Sequence, residues 1–147
     1  MFDRIVVGTD GSETATEAVR TAIELAKLSD AKLEIVSAYE PVPQARLKDE
    51  GQGISGDVAY AVNPREDVQF VLDKAAGEAK KAKIDVVTHP REGDPADAIL
   101  DVAEEEKAGL IIVGNKGMTG AKRFLLGSVP NKVSHHAPCS VLIIRTT

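Results

Sequence analysis

The chain has 147 residues, 43% of them apolar but only 3% aromatic, with no tryptophan and a formal charge of −5 at pH 7; that length makes about one domain, with a core built from Val, Ile, Leu and Ala, which suits helices packed on a parallel sheet. The acidic balance argues against a nucleic-acid surface, which needs a clustered basic face, and leaves a small molecule or another protein as the expected partner. No apolar run approaches the roughly 20 residues of a membrane span and the opening MFDRIVVG reads as a strand rather than a signal sequence, so no membrane and a cytoplasmic setting are expected.

RIVVGTD, from Arg4 to Asp10, is a β-branched run ending in a glycine turn and reads as a strand buried on both faces. A helix follows, with Ser12 as its N-cap, Glu13 in its first turn and Ala15, Ala18, Val19, Ala22, Ile23 and Ala26 on one face. KLEIVSAYE, Lys32 to Glu40, is the second strand. Residues 41–64 hold three prolines and three glycines without a sustained period and read as a long surface loop. Helical spacing returns between Glu66 and Lys83 through Val68, Val71, Leu72, Ala75 and Ala79, and IDVVTHPREG supplies a third strand in which His89 has a structural role.

Asp94 is a natural N-cap with Pro95 at the first helical position, and Ala96, Ile99, Leu100 and Ala103 form the inner face of the helix they open. AGLIIVGN is the fourth strand, a short helix spans Ser128 to His135, and CSVLIIR is the fifth strand. The single cysteine, Cys139, has no intramolecular disulfide partner and is expected to be a buried, inert thiol. His135 and His136 are adjacent, so on a helix they diverge; no zinc spacing surrounds them, and no metal site is expected.

With no internal repeat or linker, residues 1–147 read as one α/β domain: an open five-stranded parallel sheet with helices on both faces. Ligands of such sheets bind beyond the carboxyl ends of the strands, where the strand order reverses. This singles out Thr9 and Asp10, Ala38 and Tyr39, and the segment from Gly114 onward. That last segment, GNKGMTGAKRFLLGS, holds four glycines beside Lys116, Lys122 and Arg123. Glycines let backbone amides converge on an anion, and Gly127-Ser128 precede a helix whose positive dipole end adds to the preference for phosphate. On the residues alone, phosphate binding and a merely shaped loop with solvated bases both remain open.

Neither the Walker A loop nor the Rossmann glycine spacing is present. The spacing G-x2-G-x9-G-[ST] at Gly114, Gly117, Gly127 and Ser128 instead resembles the ATP-binding signature of the universal stress protein family. IVVGTDGSETATEAV resembles that family's opening strand and helix start, and LLGSVPNKVSHHAPCSVLII its closing segment. The resemblance implies strand order 3-2-1-4-5 in an adenine nucleotide alpha hydrolase-like fold. It also implies that Asp10, beside Thr9, contacts the nucleoside and that the Ala38 main chain meets the adenine. Gly114 and Gly117 would approach ribose and phosphates, Gly127, Ser128 and Val129 would donate to phosphates, and Lys116 would be a secondary partner. The alternative for Asp10 is a simple cap of the turn or of the first helix.

The implied ligand is ATP, with Mg2+ carried on its phosphates, and the implied protein is a nucleotide-regulated stress-response factor with at most weak ATPase activity. SAYEP, GN, SVP and the closing TT also resemble an actinobacterial branch of the family with cyclic AMP as ligand. A protein-interaction module without nucleotide is the remaining alternative. The final strand, residues 139–145, is expected at a sheet edge, and the resemblance implies a homodimer through it, beside a protein partner of unknown identity.

Overall fold

The computed structural model describes residues 2–40, 64–115 and 126–146. Along them run β1 (Arg4–Gly8), α1 (Glu13–Ser29), β2 (Lys32–Tyr39), α2 (Pro64–Lys81), β3 (Val86–Glu92), α3 (Pro95–Glu105), β4 (Leu110–Gly114), α4 (Ser128–His136) and β5 (Ser140–Ile144). The strands form one sheet of order 3-2-1-4-5 in which every neighbouring pair is parallel, as the alternation of apolar strands and helices predicts. Residues 41–63 of the expected loop lie outside the described residues. Pro64, the last residue assigned to that loop, opens α2 instead, because a proline at the first helical position lacks an N–H that would have no intrahelical partner anyway.

The two-residue period of the strands divides the core. Ile5, Val7, Leu33, Ile35 and Ile112 pack beneath α1 and α2, whereas Val6, Val36, Ile111 and Val113 pack beneath α3 and α4. Ala15, Ala18, Ala22 and Ala26 of α1 are buried, and their small side chains bring the helix close to the sheet. In α2 the buried stripe is Val68, Leu72, Ala76 and Ala79; Val71 and Ala75 sit half-buried at its margin, and Phe70 is 71% exposed.

Caps fix where the helices begin. Ser12 Oγ accepts from the Ala15 amide, and Asp94 Oδ2 accepts from the Asp97 amide at 3.0 Å. Lys132 of α4 reaches Asp97 at 2.8 Å and Asp94 at 3.4 Å, joining α3 to α4. The backbone N–H of Asp97, followed by the Lys132 hydrogen bond and charge, holds the Asp94 carboxyl below its ordinary range. This cap therefore contributes fully above the unfolded carboxylate value, about 3.9, and its contribution is lost as the pH falls through the lower folded value. Cys139 is half-buried against the α3 and α4 cluster, and burial pushes its thiol up, away from thiolate chemistry.

One carboxylate interrupts the apolar sheet. Glu34 of β2 is 1% exposed, pairs in register with Val6 and Val87, and accepts from His89 Nε2 at 3.0 Å. Around this pair, Arg91 forks onto Glu105 at 2.7 and 3.2 Å, and Arg4 Nη1 reaches the Glu106 carboxylate at 2.8 Å and its carbonyl at 3.1 Å. Glu34, His89 and Glu106 each bring a ligand atom within 4.8 Å of the others. Guanidinium groups already supply positive charge there, since Arg91 Nη2 also lies 3.5 Å from His89 Nδ1.

Removing one partner of a buried charge-bearing pair leaves the other uncompensated. His89→Ala is expected to lower the urea-unfolding free energy by about 3 kcal/mol. Glu34→Gln keeps a polar group of the same size without the charge and should cost about 1 kcal/mol. Equal losses in the two variants would rule out this account of the pair.

Candidate functional site

β1 hydrogen-bonds to β2 on one side and β4 on the other, so the chain reverses its direction of travel across the sheet at β1. The carboxyl ends of these three strands surround a cleft. Thr9, Asp10, Ala38, Gly114 and Val129 line it together. Gly127 and Ser128 adjoin Val129 at the entry to α4 without belonging to that lining. Lys116 and Gly117, with Lys122 and Arg123, lie outside the described residues.

The strand register decides what Ala38 offers. Lys32 N donates to Asp3 O and Thr9 N to Val36 O, whereas Leu33 N donates to Asp85 O and Tyr39 O accepts from Gly93 N. Even-numbered residues of β2 thus direct their main chain toward β1, and odd-numbered ones toward β3. The β1 ladder stops at the Gly8–Val36 pair, while the β3 ladder runs on to Tyr39–Glu92. Ala38 is the next even position, and its N–H and C=O face the space beyond the end of β1, with no hydrogen bond to Thr9. A planar heterocycle with one donor and one acceptor edge fits such a pair of groups.

The opposite wall is a tied turn. Thr9 Oγ1 accepts from Gly11 N at 3.1 Å, and Asp10 Oδ1 accepts from Ser12 N at 2.9 Å. Gly11 sits at φ 83°, a conformation that glycine adopts without strain. Asp10 therefore caps its turn and borders the cleft; among the described residues it is the only carboxylate in the lining.

At the far end, α4 begins with Gly127 as N-cap, without a side-chain cap bond and without an acidic residue in its first turn. The Gly127 amide donates to Asn115 O at 2.9 Å, so of the three amides expected to serve phosphates it is already engaged inside the protein. Ser128 and Val129 occupy the first two helical positions, whose N–H groups have no intrahelical acceptor, and Pro130 has no N–H. These two amides and the Ser128 hydroxyl stand at a positive dipole end that no acidic residue of the helix's own first turn offsets. His135 and His136 are exposed in the last turn, at the negative end.

Pro95 and Ile99 of α3, with Pro130 of α4, complete an apolar wall. Their part in the cleft was not legible, because in sequence they look like any other inward-facing helix residues. The floor depends on two close approaches. A Cβ on Gly8 would run into the end of the Ile99 side chain, and one on Gly114 would lie 2.6 Å from Thr14 Cγ2 and 3.2 Å from the Thr14 carbonyl oxygen. Gly114→Ala must push α1 away and should cost about 1–3 kcal/mol. Gly77→Ala in α2, where a Cβ meets nothing within 4 Å, should instead gain roughly 0.5–1 kcal/mol of helix stability. Thermal melts of the two variants moving in the same direction would contradict this packing argument.

Residues 1–145 match the model of the Universal stress protein family. A universal stress protein of Mycobacterium tuberculosis strain H37Rv is 41% identical over 148 aligned positions, covering 99% of this chain and 98% of the relative. The crystal structure of a universal stress protein in complex with cAMP superposes with a TM-score of 0.71 at 35% identity, covering 99% of this chain and 98% of the other. A universal stress protein from Archaeoglobus fulgidus in complex with dAMP gives a TM-score of 0.66 at 26% identity, covering 96% of each chain.

Proposed function

Because the chain belongs to the universal stress protein family, we propose that it is an adenine nucleotide-binding protein of the stress response, with the nucleotide seated in the cleft beyond β1, β2 and β4. The observation that carries this reading is the main chain of Ala38, turned into the cleft where β1 has ended. Adenine meets those groups between Ile99 and the β1 turn. Asp10 and Thr9 border the ribose, Gly114 gives it room, and the Ser128 and Val129 amides take the phosphate nearest α4.

ATP is the favoured ligand, supported by the G-x2-G-x9-G-S spacing from Gly114 to Ser128. Gly117 and Lys116 would serve its outer phosphates, and Mg2+ would arrive on those phosphates. A second reading, cyclic AMP, is supported by the likeness to a relative solved with cAMP and by the α4 start, where two amides suit a single phosphate. With Asp10 the only lining carboxylate among the described residues, hydrolysis would be slow at best, since a positioned base and metal ligands are both required for it.

Calorimetric titration of nucleotide-free protein tests this. Saturable binding of ATP with magnesium is expected, weakened at least about tenfold, or about 1.4 kcal/mol, by Gly117→Val. Cyclic AMP binding more tightly than ATP would select the second reading. Heats from neither nucleotide would leave a protein-interaction module.

The reading extends to assembly. β5 is an outer strand of the sheet, and its residues Val141–Ile144 are all apolar, without the proline or charge that commonly blunts an edge. A homodimer formed by residues 139–145 of two copies would cover it. Val141→Pro should shift sedimentation from dimer toward monomer, and an unchanged dimer would remove this interface from consideration.

A further inference from the structure

Asn115 stands immediately after β4 and is 5% exposed, yet it does not line the cleft. Its backbone joins two parts of the fold: the N–H donates to Ile144 O of β5 at 2.9 Å, and the C=O accepts from the Gly127 amide at 2.9 Å. Its side chain makes a third connection. Asn115 Oδ1 accepts from the Thr146 amide at 3.2 Å and lies 3.3 Å from Thr146 Oγ1, which in turn is 3.2 Å from Thr14 Oγ1. A hydroxyl has one proton, so the directed chain runs from the Thr14 O–H to Thr146 Oγ1, and from the Thr146 O–H to Asn115 Oδ1.

Resting on the nucleotide-binding reading above, we propose that Asn115, clasped by Thr146, is a positioning residue that sets where α4 begins relative to the cleft floor. Thr14 lies in the first turn of α1, against which Gly114 packs. Asn115 thereby ties that turn, the end of β5 and the start of α4 into one hydrogen-bonded unit. A buried side-chain amide held by hydrogen bonds has a restricted orientation, and with Oδ1 clasped by Thr146 the Asn115 backbone is held so that its main-chain carbonyl meets the Gly127 amide. Ser128 and Val129 follow directly, so their N–H groups are aimed by a residue that touches no ligand. Donors a fraction of an ångström out of place lose most of their value to a bound anion.

Thr146→Val keeps the shape and the main-chain donor but removes the hydroxyl; Thr146→Ser keeps the hydroxyl; Asn115→Ala removes the whole clasp. Two readouts separate positioning from general stability: hydrogen exchange at the Gly127 amide in the nucleotide-free protein, and calorimetric affinity for ATP with magnesium and for cyclic AMP. Thr146→Val should speed Gly127 exchange and weaken nucleotide binding about fivefold. Asn115→Ala should weaken it about tenfold or more, and Thr146→Ser should behave as the parent protein. Unchanged Gly127 exchange in Thr146→Val and Asn115→Ala overturns the proposal, as does faster exchange with unchanged affinity. If the parent protein binds neither nucleotide while Gly127 exchange still rises in the variants, the nucleotide reading falls and the clasp stands.

Discussion

The early end of β1 is the constraint from which the site follows. This central strand pairs with both β2 and β4 but stops at Gly8, whereas β2 continues to Tyr39 under the protection of β3. In a parallel ladder the residues of one strand alternate between their two neighbours, so a strand that outlasts one neighbour exposes main-chain groups on that side alone. Ala38 is the residue left exposed in this way. The turn after Gly8 is held by Thr9 and Asp10.

The remaining architecture keeps that opening apolar and narrow. Small residues on α1 and glycines at the strand ends allow α1 and α3 to close on the sheet from opposite faces. Lys132 binds the first turn of α3 to α4, and Asn115 binds the start of α4 to β5. Two helices that begin at the cleft are thus each fixed at their first turn. Charge is handled away from the opening, on the β2–β3 side, where Glu34 and His89 form a buried pair flanked by the Arg91–Glu105 and Arg4–Glu106 ion pairs.

Much of the fold was legible because strands and helices of this chain differ in period and in length. The α1 face from Ala15 to Ala26 and the Asp94-Pro95 start of α3 were read almost residue for residue, since caps and small apolar repeats act locally. Polar residues inside elements were harder. Glu34 sits in a strand whose alternation does not distinguish a solvated glutamate from a buried one, and its partner His89 is 55 residues away. Asn115 read as part of a glycine-rich segment, because its partners Gly127, Ile144 and Thr146 come together only when β4 and β5 pair.

What the sequence determined by itself was the α/β class, the starts of α1, α3 and α4 and the strand ends that border the cleft, all of which depend on local period, capping and turn chemistry. The family resemblance added the strand order. Only the tertiary structure decided that Ala38 turns its main chain into the cleft, that Gly127 spends its amide on Asn115, and that the buried Ile99 and Pro130 also wall the cleft. Those outcomes depend on which strand outlasts which and on what lies across the sheet, and strand register and long-range hydrogen bonds leave no trace in the order of residues within any one segment.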